Sequence, residues 1–403
     1  MIAACRVIVA LLLTAGALSA TPAVAGQLGD EGPDRLLIAD PSPALRAYLV
    51  DRGFVVESLE RLEALDFSLM TAAPPPRMRP AAALDDLRAA FPNAIMALDD
   101  TFRLAHDTRL RSSRIVQPRQ VLAAIGWQAE DGVDPGAGMR IGMIDSSLDP
   151  AHPALAHAAL VERVFISGKA PAVETAHGTA IAAMLVGDSA GQSVSGLLRG
   201  ATLYHAGIFQ DSRQGPMASS SDFLRAVDWM LKSGIKIINA SITSASKNAV
   251  VLYAMTMLSH KKAIIIAAAG NGGPSGPPAY PAAFDSAVAV TAVSVAGDAY
   301  PYANTGDYID IAAPGANLPT VSRGVTSGTS LAVPFVTAAI ARMVQACDVS
   351  TERARLSLQA HARDLGPRGW DARFGWGLLQ VPQCGPATTQ LSAKVASRAR
   401  FDD

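Results

Sequence analysis

Short apolar segments alternate with helical segments over most of the chain, and this alternation limits the possible folds more than any other feature. The apolar runs lie at 139–144, 201–209, 235–238, 263–268 and 287–293, with a shorter one at 309–311, and helical segments lie at 222–232 and 249–259. Strands that are apolar on both faces are typical of a parallel sheet covered by helices on each side. The sequence therefore predicts a large α/β unit with a mostly parallel sheet.

The composition is that of a globular protein with a large core. Of the 403 residues, 50% are hydrophobic and 17% are charged, a balance that disordered chains do not have. The length leaves room for two or three domains. The net charge of −1 gives no indication of a nucleic-acid partner or of an acidic membrane surface.

The first 25 residues have the pattern of an export signal. Arg6 supplies the positive charge, residues 7–20 are apolar, and Ala23 and Ala25 form a small-x-small site. We expect cleavage after Ala25 and a periplasmic or secreted protein. The apolar run is shorter than the roughly 20 residues that span a bilayer, so no stable membrane anchor is expected, although a retained anchor is the alternative.

A smaller αβ pattern precedes the large unit. Predicted strands at 36–39, 54–56, 67–70 and 94–98 alternate with predicted helices at 43–52 and 82–91. This indicates a small α+β domain over 26–110 with an antiparallel sheet. The basic, aperiodic stretch 108–114 predicts an exposed linker, placed at 111–119, with a processing site. The large unit is then 120–385, and a polar tail follows at 386–403.

Polar side chains follow the predicted strands. Asp145, Ser241 and Asn271 each come just after an apolar run, and ligands of parallel sheets bind beyond the carboxyl ends of strands. His177 opens a predicted helix beside Gly178. Taken singly, each of these residues has a structural explanation as a turn former, a cap or a loop residue.

Ser330 lies between a small-residue turn and the apolar helical run 332–344. The positive end of a helix favours negative charge that develops there, which suits a nucleophile, but an N-cap serine explains the pattern equally well. A nucleophilic serine needs a base, a carboxylate that orients the base, and donors for the oxyanion. Asp145, His177, Asn271 and Ser330 supply one candidate for each.

The motifs around these four residues resemble those of the subtilisin-like serine peptidases, the subtilases. The chain has His-Gly-Thr at 177–179, Ala-Ala-Gly-Asn at 268–271 and Gly-Thr-Ser-x-Ala-x-Pro at 328–334. The order Asp, His, Ser is also that of the family. The resemblance covers about 120–385. His177 distinguishes the chain from the sedolisins, which have glutamate as the base.

The resemblance implies an exported endopeptidase with an Asp145, His177, Ser330 triad. The oxyanion hole would consist of the Asn271 amide and the Ser330 N–H. Protein or peptide substrates would bind as an added strand, and the implied substrate-binding residues are Ser241, Ile242, Thr243, Ala267, Ala268, Ala269 and Gly270. The chemistry would need no cofactor.

The resemblance also implies a role for the N-terminal αβ domain. Subtilases are commonly made with a pro-domain of this size, which assists folding and blocks the cleft until it is removed. Residues 26–110 would then be an intramolecular inhibitor, with autocleavage within 100–118; a permanent accessory domain is the alternative. Family members often bind calcium, but no acidic loop with convincing ligand spacing is found in the sequence, so no metal site is predicted and structural calcium stays open.

Several positions depart from the family pattern. Ser147 replaces a common glycine, and it would be strained if that position needs a positive φ. Thr243 replaces a glycine of the cleft edge and would narrow the cleft, while Leu331 and Val333 are milder changes. The alternative function is therefore an impaired binding protein on the same fold whose pro-domain is never released. An α/β esterase is disfavoured because Ser330 lacks that fold's Gly-x-Ser-x-Gly motif.

Cys347 and Cys384 remain after removal of the signal. Two cysteines of an exported protein could pair, and the bridge would then tie the end of the Ser330 helix to the end of the globular region. Two free buried thiols are the alternative.

Overall fold

The structure is a computed structural model that describes residues 34–105, 116–128, 134–166 and 175–384. The predicted export signal, most of the basic linker and the polar tail lie outside these residues.

The described residues contain sixteen strands, eight α-helices and a short 3₁₀-helix, Pro153–Leu155. The strands are β1 Leu36–Ala39, β2 Val55–Leu62, β3 Phe67–Ala73, β4 Ile95–Leu98, β5 Thr101–Leu104, β6 Arg140–Asp145, β7 Ala159–Val164, β8 Thr202–Gly207, β9 Ala218–Ser219, β10 Ile237–Ala240, β11 Ile242–Thr243, β12 Ile264–Ala268, β13 Ala287–Val293, β14 Ile311–Pro314, β15 Leu318–Thr320 and β16 Gly324–Thr326. The helices are α1 Pro43–Asp51, α2 Pro80–Ala90, α3 Pro118–Ala124, α4 Ala176–Val186, α5 Ser220–Lys232, α6 Ala249–His260, α7 Thr329–Ala346 and α8 Thr351–His361.

Seven parallel strands form the central sheet, in the order β14-β13-β12-β10-β6-β8-β7. The predicted fold class is confirmed. Edge strand β7 was not predicted, because its residues are mostly exposed and include Glu162 and Arg163, so it lacks the apolar run that marks the inner strands. The strand at the other edge of this sheet, β14, begins at Ile311 rather than at the predicted position 309.

Helices cover both faces of this sheet, as its two-sided apolar strands require. Side chains of α4, α7 and α8 share one buried cluster with the sheet, and those of α5 and α6 share the other. The central helix α7 is long and apolar enough to cross a membrane by length and composition, but most of it is buried inside the protein. Just beyond its end, Cys347 is joined to Cys384 by a disulfide bond.

The N-terminal unit is an antiparallel sheet, β2-β3-β1-β4, with α1 and α2 on one face. Its strand β1 is buried on both sides. Leu36 and Ile38 pack with the unit's own helices, while Leu37 and Ala39 belong to the cluster that contains α5 and α6. The open face of the small sheet is therefore covered by two helices of the large unit.

Candidate active site

Asp145 and His177 form a buried pair at the carboxyl end of the central sheet. Asp145 is the last residue of β6 and His177 is the second residue of α4. Nδ1 of His177 donates to Oδ1 of Asp145 over 2.6 Å, and the exposed fractions of the two side chains are 2% and 0%. The Ser146 N–H donates to the same carboxylate oxygen over 2.7 Å. The carboxylate therefore fixes the orientation of the imidazole.

Gly178 lets the start of α4 approach the chain that follows Asp145. A Cβ at this position would lie 2.4 Å from the carbonyl oxygen of Ser146 and 2.8 Å from that of Ser147, so only glycine fits. The Gly178 N–H also donates to Oγ of Ser146 over 2.9 Å. The glycine of the His-Gly-Thr motif is thus needed for backbone contact between the segments that carry Asp145 and His177.

Ser330 is the second residue of α7 and is completely buried. Its Oγ makes no hydrogen bond to any other residue that the structure describes. Its carbonyl oxygen accepts a hydrogen bond of 3.1 Å from Oγ of Ser241. A hydroxyl at a helix N-terminus with no partner of its own is available to a base.

Two hydrogen-bond donors, the Ser330 N–H and the Asn271 side-chain amide, point to the same carbonyl oxygen of the N-terminal unit. The Ser330 N–H lies 3.2 Å from the carbonyl oxygen of Ala105, and Nδ2 of Asn271 lies 2.7 Å from the same atom. The Ala105 N–H donates to the carbonyl oxygen of Ser241 over 3.1 Å. A peptide carbonyl is therefore held between a side-chain amide and a backbone N–H, next to the serine.

The Asn271 amide is oriented by its other end. Its Oδ1 accepts hydrogen bonds from N and from Oγ1 of Thr329, at 3.0 and 3.1 Å. An amide whose oxygen is satisfied in this way directs its NH₂ to the opposite side, where Ala105 lies. Thr329 was not predicted as a site residue, although its place inside the serine motif could have indicated it.

The segment that ends at Ala105 lies in the cleft as an added strand. β5 pairs antiparallel with β11, with Leu104 opposite Ile242 and Arg103 opposite Thr243, and on its other side it pairs with β9. Neither β5 nor β9 was predicted, because two to four residues are too few for a periodic signal. Strand addition of this kind is a common mode of peptide recognition.

Residues 267–269, which were expected to form the second edge that binds the added strand, do not pair with β5. Ala267 and Ala268 are in β12 at the centre of the sheet, and Ala267, Ala268 and Ala269 are each completely buried. The hydrogen bonds described for β5 go to β11 and β9 instead. Gly270, at φ +102°, turns the chain so that Asn271 follows β12 at the cleft.

Phe102 is the deepest side chain of the bound strand. It is 1% exposed, and its ring stacks on that of Phe223 in α5 at a centroid distance of 4.9 Å. Arg103, by contrast, is directed outward and donates to the side chain and the carbonyl oxygen of Gln214. The cleft therefore has an apolar subsite three residues before Ala105.

A chain of buried hydrogen bonds supports the cleft from below. Oγ1 of Thr337 donates to Oδ1 of Asn239, Nδ2 of Asn239 donates to Oγ of Ser241, and Ser241 donates to Ser330. All four residues are fully buried. This chain of bonds fixes α7 against β10, and with it the position of Ser330 relative to the cleft edge.

Ser147 does not carry the strain that the sequence suggested. It is absent from the described non-glycine residues with positive φ, so that expectation is wrong. The backbone conformation at Ser147 is one that any L-residue can adopt. Strain at Ser147 therefore gives no reason to expect an impaired site.

The arrangement has the parts that acyl transfer requires. A buried carboxylate orients an imidazole, an unpartnered serine hydroxyl stands at a helix N-terminus, and two donors converge on a peptide carbonyl oxygen. Such donors stabilise the negative charge that develops on the oxygen during attack. Among the described residues, no three His, Cys, Asp or Glu side chains are grouped as they would be around a metal ion.

A model of the subtilase family matches residues 136–377, more than half of the chain. Among curated relatives, the minor extracellular protease Epr of Bacillus subtilis is 29% identical over 270 residues, which are 66% of this chain but only 40% of that protein. Thermitase of Thermoactinomyces vulgaris is 26% identical over 266 residues, or 64% of this chain and 91% of that protein.

Solved structures show the same fold. Fervidolysin from Fervidobacterium pennivorans, described as a keratinolytic enzyme related to subtilisin, has a TM-score of 0.67 at 18% identity. The match covers 88% of this chain and 61% of that one. The prenylagaramide maturation protease PagA has a TM-score of 0.54 at 22% identity and covers 66% of this chain and 97% of that one.

Proposed function

The chain belongs to the subtilase family, and on that premise we propose that it is an exported serine endopeptidase that is made as a self-inhibited precursor. The observation that carries the proposal is the Ala105 carbonyl oxygen, held by the Ser330 N–H and the Asn271 amide. The Ser330 hydroxyl has no hydrogen-bond partner among the described residues, and a peptide carbonyl held beside it in this way has the position expected of a substrate carbonyl.

In the proposed mechanism, Oγ of Ser330 attacks the carbonyl carbon of the bound peptide and passes its proton to His177. Asp145 holds the imidazole in the tautomer that accepts this proton and stabilises the imidazolium that results. The tetrahedral oxyanion receives the hydrogen bonds of Asn271 and of the Ser330 N–H. His177 then protonates the departing amine, and water releases the acyl group by the same steps in reverse. All of these groups belong to the protein, so the chemistry requires no cofactor.

We further propose that the bond between Ala105 and His106 is the processing site, within the expected range 100–118. After cleavage the N-terminal unit would stay in the cleft as a product-like inhibitor. Hydrogen bonds between the N-terminal unit and the large unit support this role. Asp99 accepts hydrogen bonds from N and Oγ of Ser221 at the start of α5, and Asp100 accepts from Asn248, the N-cap of α6.

Peptide cleavage tests both the activity and the subsites. A peptide with Phe-Arg-Leu-Ala before its cleavable bond should be hydrolysed after alanine by the mature enzyme. Replacing phenylalanine with alanine should lower kcat/KM by about 30-fold, because about 2 kcal/mol of aromatic burial is lost. Replacing arginine with alanine is the matched control and should change kcat/KM by less than about 3-fold, since the side-chain hydrogen bonds of Arg103 go to the exposed Gln214. Equal losses for both peptides, or no cleavage at all, would contradict the proposal.

Release of the N-terminal unit is expected to depend on pH through Asp99. Burial raises the pKa of Asp99 from 3.8 to about 6 in the closed form, and exposure on release would return it toward its ordinary value. The closed form therefore binds the proton more tightly. Protonated Asp99 therefore stabilises the closed form. This stabilisation is complete below about pH 4 and is lost as the pH rises through about 6, which weakens binding of the N-terminal unit by up to about 100-fold.

The measurement is the fraction of the N-terminal fragment that co-elutes with the processed large unit between pH 4 and 7.5. This readout does not depend on peptidase activity. Asp99→Asn cannot ionise and should reduce the dependence, and Asp100, whose pKa is also raised by burial, should leave a smaller dependence of the same sign. Asp85→Asn, on the exposed side of α2, should leave the dependence unchanged. Tighter co-elution at pH 7.5 than at pH 4.5 in the unaltered protein would overturn the prediction.

A further inference from the structure

His205 is a fully buried histidine that the proposed chemistry does not use. It lies in β8, next to β6 in the central sheet, and its side chain is 0% exposed. Its Nδ1 lies 3.1 Å from Oε1 of Glu162 in β7, and its Nε2 lies 2.9 Å from the carbonyl oxygen of Ser146. A buried titratable side chain between two elements and the loop after Asp145 is unusual enough to require an explanation.

Both neighbours of the imidazole are acceptors. A carboxylate lies on one side and a peptide carbonyl on the other, so His205 satisfies both only when each ring nitrogen carries a hydrogen. The hydrogen bond from His205 lowers the pKa of Glu162, which keeps that side chain ionised. His205 therefore faces an acceptor at each ring nitrogen, the Glu162 carboxylate at Nδ1 and the Ser146 carbonyl oxygen at Nε2.

Ser146 connects this pair to the active site. Its N–H donates to Oδ1 of Asp145, and its Oγ accepts from the N–H of Gly178, the neighbour of His177. Its carbonyl oxygen is the atom that a Cβ at Gly178 would approach most closely. Ser146 thus contacts the residue that orients the base through its N–H and the segment that carries the base through its Oγ, and His205 hydrogen-bonds to its carbonyl oxygen from within the sheet.

We propose that His205 is a positioning residue for the peptidase reaction, acting through the Ser146 carbonyl to hold Asp145 in line with His177. The inference rests on the proposed function. Without this donor, the buried Ser146 carbonyl would be left unsatisfied and Ser146 would be free to shift. Asp145 and Gly178 would then move with it, and displacements of about 1 Å in an active site cost up to about 10²-fold in rate.

Two amide variants separate the two hydrogen bonds of His205. The side-chain nitrogen of glutamine takes about the place of Nε2, so His205→Gln keeps a donor to Ser146 and loses the donor to Glu162. The side-chain nitrogen of asparagine takes about the place of Nδ1, so His205→Asn does the reverse. Glu162 is 31% exposed and can be solvated when its partner is lost, whereas the Ser146 carbonyl is buried.

The experiment measures kcat, KM and the melting temperature of the mature enzyme obtained from the full chain. We expect His205→Asn to lower kcat by about 10- to 100-fold with KM within about 2-fold, and His205→Gln to stay within about 3-fold of the unaltered enzyme in kcat. The same order should hold for the rate of precursor processing, an intramolecular reaction that does not depend on KM.

The outcomes that overturn the inference are distinct from failure of the proposed function. Equal losses of kcat in both variants, in proportion to their melting temperatures, would mean a structural role only. Unchanged kcat in both variants, with an active unaltered enzyme, would show that Ser146 needs no support. An unaltered enzyme with no peptidase activity would instead remove the proposed function, and the positioning role with it.

Discussion

Replacing Ser330 with alanine is expected to leave the chain uncleaved after Ala105 and unreactive toward a fluorophosphonate probe. The unaltered chain should lose its N-terminal unit and bind the probe at Ser330. Peptide hydrolysis by the variant should fall by on the order of 10⁶ in kcat, the scale known for loss of the nucleophile in subtilisin, a member of this family. Some catalysis above that of water should remain, because the oxyanion donors and the cleft are intact.

Mass measurement of the expressed chain and in-gel labelling after removal of the N-terminal unit check this expectation. Ser294→Ala is the matched control, since Ser294 bonds only within its own exposed turn. Identical lengths for the unaltered and Ser330→Ala chains, without labelling of either, would favour the alternative of an inactive binding protein. The structure gives that alternative little support, because Ser147 is not strained.

Replacing Asp145 with asparagine should lower kcat by about 10⁴ near neutral pH, with KM almost unchanged. Oδ1 of Asp145 accepts from both the Ser146 N–H and Nδ1 of His177, so asparagine keeps both bonds only with its amide oxygen at that position. The neutral amide then no longer stabilises the imidazolium that forms when His177 takes the proton of Ser330.

Steady-state kinetics on one peptide substrate measure this effect. Asp188→Asn is a suitable control, because Asp188 lies just past the end of α4 and its carboxylate accepts from Ala190 in its own turn. It should change kcat by less than about 2-fold. A variant at Asp145 that keeps more than about a tenth of the kcat would mean that His177 does not depend on this carboxylate.

The inner strands of the sheet and its buried helices could be predicted from the sequence. The runs at 139–144, 263–268 and 287–293 correspond to β6, β12 and β13, because parallel strands buried on both faces must be almost wholly apolar. Edge elements follow no such rule. Strand β7 carries Glu162 and Arg163 and was not found, and β2 extends six residues beyond its predicted end because its exposed residues alternate irregularly.

The motifs by themselves determined which residue types are available for chemistry and in which order, since a carboxylate, an imidazole, an amide and a hydroxyl each occur in a glycine-rich or small-residue setting. The alternation of apolar and helical segments determined the fold class. Only the tertiary structure decided what occupies the cleft. The pairing of β5 with β11 and β9, and the hydrogen bonds that hold Ala105 beside Ser330, join segments more than 100 residues apart. The contacts of His205 with Glu162 and with Ser146 also join separate elements, over 43 and 59 residues of sequence. Local sequence contains no signal for such contacts, because they arise from the packing of separate elements rather than from the periodicity of any one of them.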